Sequence, residues 1–254
     1  MTRSFFWRPA AAALLLALAV AALRTSTAPI MARQEATPAT QYSCDNATPV
    51  AATPVMADSG MPSMVGMDMG SPMAGMDMAV EFDQMYIDMM LPHHASIVAM
   101  AQAALPRLQD DRLGEIAQTI IDAQTAEQAE LRGYREEFYG SPEPMPMDAP
   151  MMEMMNQAMP GMGSMAQMAE QMDPSAQVAL LCAAEDPDLA FIDLAIPHHQ
   201  AAIAASQAAL DQATHQEIKD FAQKVIEDQE REIAELAAIR EEVYGSATPE
   251  PVGA

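Results

Sequence analysis

A stretch of 59 residues occurs twice in this chain. Asp83–Ser141 aligns without a gap on Asp188–Ser246, 105 positions later, with 25 identities. Self-similarity of this kind limits the fold before any element is assigned, because one supersecondary unit has been made twice. The repeat is centred on Pro92-His93-His94 and Pro197-His198-His199, which hold four of the five histidines.

The apolar spacing within each copy is helical. On a wheel of about 100° per residue, Asp83, Ile87, Met90, Leu91, His94, Val98, Ala101 and Leu105 share a face, predicting a helix from about Val80 to Leu105. Pro92 falls inside it. Either the helix kinks there or it starts there. Leu91 is a poor cap and the apolar face continues upstream, which favours the kink. A second helix is expected over Asp111–Tyr139, ended by Gly140-Ser141-Pro142. The second copy repeats this over Asp188–Leu210 and His215–Tyr244. Its inner faces carry Asp188, Ile192, Ile196, His199 and Ile203, then Phe221, Val225, Gln229, Glu232 and Leu236. The connection in each copy is short, so each is an antiparallel hairpin. Neither hairpin buries its stripe alone. Together they predict an all-α protein, a ferritin-like four-helix bundle of two repeated hairpins with one long crossover.

Around that bundle the chain divides by composition. Residues 1–32 read as a signal peptide: Arg3 and Arg8, then an apolar run from Ala10 to Leu23, then small residues. The run is short for a membrane span, so cleavage is expected, with an uncleaved anchor as the alternative. Residues 33–79 are rich in Met, Pro, Ala and Thr and are expected to be disordered. The bundle should occupy 80–246: hairpin one 80–141, a Met-rich crossover 142–187 and hairpin two 188–246, followed by a tail, 247–254. Export points to a secreted, periplasmic or cell-envelope location. No membrane span is expected after signal cleavage. A net charge of −24 repels nucleic acid and attracts cations. The only cysteines, Cys44 and Cys182, occupy non-equivalent positions in the repeat. They are therefore a candidate disulfide in an oxidising compartment, and not a duplicated ligand pair.

Three polar residues in each copy fall where the wheel calls for apolar ones: His94, Gln124 and Glu127, then His199, Gln229 and Glu232. A buried carboxylate needs a partner or a bound ion. Imidazoles and carboxylates facing inward from several helices are how bundles build metal sites. The alternative is a self-satisfied polar core layer, with Glu127 accepting from His94 and Gln124 paired with Gln229. His93 and His198 lie roughly 100° from the centre of the face, to ligate with Met89 or Met90, flank the core or reach solvent. Methionine is the second signal: all 25 lie at or before Met172. Many fall in the two low-complexity segments, where core packing is not expected to explain them, as with Met61, Met64, Met67, Met69, Met76 and Met78. Thioether sulfur selects Cu(I), so these are candidate auxiliary copper ligands. A sticky tail or a sacrificial oxidation target is the alternative.

The runs Ile-Asp-Met-Met-Leu-Pro-His-His and Ile-Asp-Leu-Ala-Ile-Pro-His-His, each followed some 30 residues on by Gln-x-x-Glu, resemble the domain of unknown function 305 family. The resemblance spans about residues 81–246. It implies a ferritin-like, usually exported protein of a kind that includes periplasmic copper-binding proteins implicated in copper resistance. It also implies metal binding through His93, His94, His198, His199 and nearby methionines. The chain departs from a symmetric Met/His site, since Met85, Met89, Met90 and Met100 face Ala190, Leu194, Ala195 and Ala205 in copy two. The expected function is copper binding, buffering or transfer, with metal ions as partners, no identified protein partner, and no cofactor required for folding. Two other classes stand beside it. A metal-free envelope interaction module would keep its stability after chelation. A di-metal oxidase would need Glu-x-x-His, and no histidine here has Glu three residues before it, so no enzyme is expected.

Overall fold

The structure, a computed structural model, describes residues 42–45 and 81–249. The expected signal peptide, most of the first Met-rich segment and the end of the tail lie outside the described residues. Those described form seven helices and no strand: α1 Phe82–Ala104, α2 Asp111–Tyr139, α3 Ala149–Ala158, α4 Met165–Gln171, α5 Pro174–Ala183, α6 Pro187–Gln212 and α7 Gln216–Tyr244. None is long and apolar enough to cross a membrane.

The four long helices form the two hairpins α1–α2 and α6–α7. Each runs unbroken through its internal proline, Pro92 in α1 and Pro197 in α6, so neither starts there. α2 opens where Asp110 accepts the Arg112 amide and closes on Gly140 at φ 76°. α7 closes the same way on Gly245 at φ 77°. A left-handed closing residue suits glycine, which has no Cβ to strain.

Two aspartates lock the hairpins to each other reciprocally. Asp83, at the start of α1, accepts the amides of Thr214 and His215 at the α6–α7 turn, at 2.8–3.1 Å. Its repeat partner Asp188, at the start of α6, accepts the amides of Gln109 and Asp110 at the α1–α2 turn, at 2.8 and 3.0 Å. Each helix start therefore meets the other hairpin's turn, which makes α1 and α6 antiparallel about a pseudo-twofold. Within each hairpin the repeat also conserves an ion pair, Arg135–Asp88 at 2.7 Å and Arg240–Asp193 at 2.6 Å.

The apolar interior is two clusters. One takes α1 up to Leu91 and α6 from Ala201 onward; the other takes α1 from Ile97 and α6 up to Ile196. The histidine motifs fall between them, as a polar layer separating two greasy ones.

The crossover corrects one expectation. Met151, Met155, Met159, Met162, Met168 and Met172 are buried and pack into the first cluster, so core packing does account for these methionines. Asp148, Ser164 and Asp173 cap α3, α4 and α5, and the flexible thioethers fill the irregular gap those short helices leave. α5 then lies along α1. As a result α1 is buried almost all round rather than along one stripe. Cys44 and Cys182 are bonded at the end of α5, beside Arg107, whose guanidinium also donates to the carbonyls of Leu181 and Ala184.

Candidate metal centre

The four motif histidines meet at the middle of the bundle and are all buried, at 0–1 % exposure. His93 and His198 meet across the pseudo-twofold with ring centroids 3.7 Å apart and ring planes tilted by 37°. The solvent-reaching alternative for this pair is thereby excluded. The one-face wheel placed them off-centre, but α5 covers the flank of α1 that the wheel left open.

His94 and His199 stand on either side, each against a glutamate of its own hairpin. Glu127 takes a hydrogen bond from His94 Nε2 at 3.0 Å. A carboxylate only accepts, so Nε2 is the donor. Glu232 lies 2.8 Å from His199 Nε2, but the alignment is not that of a hydrogen bond. The carboxyl of Glu127 is lower than usual in pKa: burial pushes it up, and the bond and charge of His94, with Lys224 behind, more than offset that. Burial, then the neighbouring imidazoles, push His93 and His198 well below the ordinary histidine range. Both are therefore neutral near pH 7, the form that binds metals.

Six imidazole nitrogens here have no hydrogen-bond partner: both of His93, both of His199, and Nδ1 of His94 and His198. The side-chain amides of Gln124 and Gln229, buried in the same layer, are unpartnered as well. An unsatisfied buried polar group costs about 1–3 kcal/mol, so these atoms are the candidates for holding a ligand. Among the described residues no three His, Cys, Asp or Glu side chains form a ready ligand cluster. A soft monovalent ion accepts two ligands, and imidazole and thioether suit it. Met89 and Met90 are fully buried one turn before His93 and His94, on the same faces of α1. Met61, Met64, Met67, Met69, Met76 and Met78 lie outside the described residues.

Four neighbours of the centre were not picked out from the sequence. Ser96 bonds His198 Nε2 at 2.9 Å and the backbone carbonyls of His93 and Gln171. Tyr86 and Ser206 share a 2.8 Å hydrogen bond beneath it. Lys224 reaches from α7 to Glu127 at 2.6 Å. A signal was present, because each breaks the repeat: copy two has Ala201 for Ser96 and Phe191 for Tyr86, and copy one has Ala101 for Ser206 and Thr119 for Lys224.

The family model described as Domain of unknown function (DUF305) matches residues 31–135 and again 83–240. No curated protein matches the chain. Among solved structures, the Ag-bound form of CopM, obtained by co-crystallization, aligns at 25% identity and TM-score 0.50, covering 64% of this chain and 98% of that one. Its Cu(I)-bound form aligns at 24% identity and TM-score 0.49, with the same coverage. A DUF305 protein of Streptomyces coelicolor, named as a candidate secreted protein, aligns at 21% identity and TM-score 0.53, covering 67% and 98%. That last likeness bears on the fold alone.

Proposed function

The chain belongs to the DUF305 family, and from that premise we propose that it is an exported protein that binds a soft monovalent cation, Cu(I) in use, at the centre of its bundle. The observation that carries this is the layer of four buried histidines with six unpartnered ring nitrogens. His93 and His198 are the central ligands, His94 and His199 flank them, and Met89 and Met90 supply thioether sulfur from one side. Glu127 and Glu232 orient imidazoles and offset the cation's charge. CopM in its Ag-bound form supports the choice of ion class, since Ag(I) and Cu(I) are both soft monovalent cations. Buffering or transfer fits better than catalysis, because the chain shows no Glu-x-x-His pair on a helix. The apolar run before Leu23 supports export, and the methionines of 33–79 are the auxiliary ligands.

A second reading, a metal-free polar layer, is favoured by the bonds His94 already makes to Glu127 and His198 to Ser96. Histidine-resolved NMR separates the two. On addition of one equivalent of Ag(I) or Cu(I) to the full chain, the resonances of His93, His94, His198 and His199 should move while those of His215 stay. If all five stay, the layer is structural and any binding belongs to the methionine segment.

A further inference from the structure

The two halves of the metal centre are not equally closed. The pseudo-twofold places Lys224 of copy two opposite Thr119 of copy one, 105 residues apart. Lys224 is one of only two lysines in the chain. Its ammonium lies across the α2–α7 seam on Glu127 Oε1 at 2.6 Å, while Glu127 Oε2 holds His94. Both oxygens of that glutamate are taken.

At the other end of the same seam nothing equivalent happens. Thr119 turns its hydroxyl back to the Glu115 carbonyl of its own helix. Glu232, 5 % exposed, instead lines a groove of about 480 Å³ with Glu115, Thr119 and Glu235 on its walls and Ile116 and Ile239 at its base. The groove's arginines are already engaged, Arg112 by Asp110 and Glu242, and Arg231 by Asp228. Directly behind Glu232 stands His199, fully buried, with neither ring nitrogen hydrogen-bonded.

Resting on the reading that the histidine layer takes a soft cation, we propose that this Glu232 groove between α2 and α7 is the port through which the cation enters and leaves, while Lys224 seals the matching approach at Glu127. The acidic walls draw cations in. Glu232 is the first oxygen ligand met, and His199 is the first imidazole, to which the ion passes by ligand exchange. A second cavity, of about 520 Å³, lies over Pro197 and Gln200 beside α4 and α5. That approach is obstructed, because the Gln171 carbonyl and the Ser96 hydroxyl bond the His198 ring edge behind it.

The test is kinetic, on the full chain loaded with one equivalent of Cu(I) and challenged with excess coloured chelator. Histidine NMR checks equilibrium occupancy in every variant. Thr119→Trp, a neutral block, and Thr119→Lys, which copies the seal, should each slow extraction at least tenfold with the histidines still occupied. Lys224→Thr should speed extraction, because it opens the matching approach at Glu127. The proposal is overturned if both Thr119 variants release copper at the parent rate, or if Gln200→Trp slows release and Thr119→Trp does not. A parent chain whose histidines take up no cation overturns the functional reading itself, and the port with it.

Discussion

Single residues at the histidine layer set a pH dependence whose sign follows from burial. His93 and His198 have pKa values well below the ordinary value in the folded chain, because of burial first and their neighbouring imidazoles second. In the unfolded chain they titrate near the ordinary ~6.5. Between those values the unfolded state holds more protons, so stability falls as pH drops below ~6.5 and is indifferent to these groups above it. The slope is at most about 1.4 kcal/mol per pH unit for each histidine. Glu127, with its pKa lowered in the fold, adds a loss in the same direction at more acid pH. Urea melts of metal-free protein at pH 7.5 and 5.5 should therefore differ by roughly 1–3 kcal/mol, the acid sample being weaker. Equal midpoints would mean that the layer already takes protons at little cost. The sequence made part of this layer legible. His94, Gln124, Glu127 and their repeats interrupt an apolar stripe, and they are buried where that stripe requires. The contact of His93 with His198 was not legible, because a helical wheel knows one buried face and α1 has several.

At the scale of elements, the long helices announce themselves and the short ones do not. α2 was readable at about its observed bounds because Gly140-Ser141-Pro142 marks its stop, and the structure adds Asp110 as the cap at its start. The crossover offers no long period, only caps and methionines, and its helices of seven to ten residues take their place from packing against α1. The reciprocal caps were equally hidden, since Asp83 and Asp188 read as inner-face positions of their own helices while serving the opposite hairpin. Their loss is measurable. Asp83→Ala removes two amide acceptors and the 2.6 Å contact to His215 Nδ1. It should cost about 1–2 kcal/mol, more than Asp188→Ala, which loses two amide bonds and no ion pair. Thermal melts of the two variants would check the order, and a smaller loss for Asp83→Ala would show that the turn holds without it.

For the whole molecule, the Cys44–Cys182 bond links positions 138 residues apart and uses the chain's only two cysteines. Closing a loop that long in the unfolded chain is worth up to about 4–5 kcal/mol in the chain-entropy account. Reduction, or Cys44→Ser with Cys182→Ser, should lower the melting temperature by several degrees while leaving the far-ultraviolet circular dichroism unchanged. A change in helix content instead would mean that α5 depends on the bond for its folding.

The inequality of Lys224 and Thr119 has a consequence beyond either residue. Two identical hairpins assembling around a twofold would place every side chain twice, so a lysine that bars one side would bar both, and its absence would leave both bare. Joining the copies in one chain lifts that rule. It lets a box with interchangeable ends acquire a front and a back.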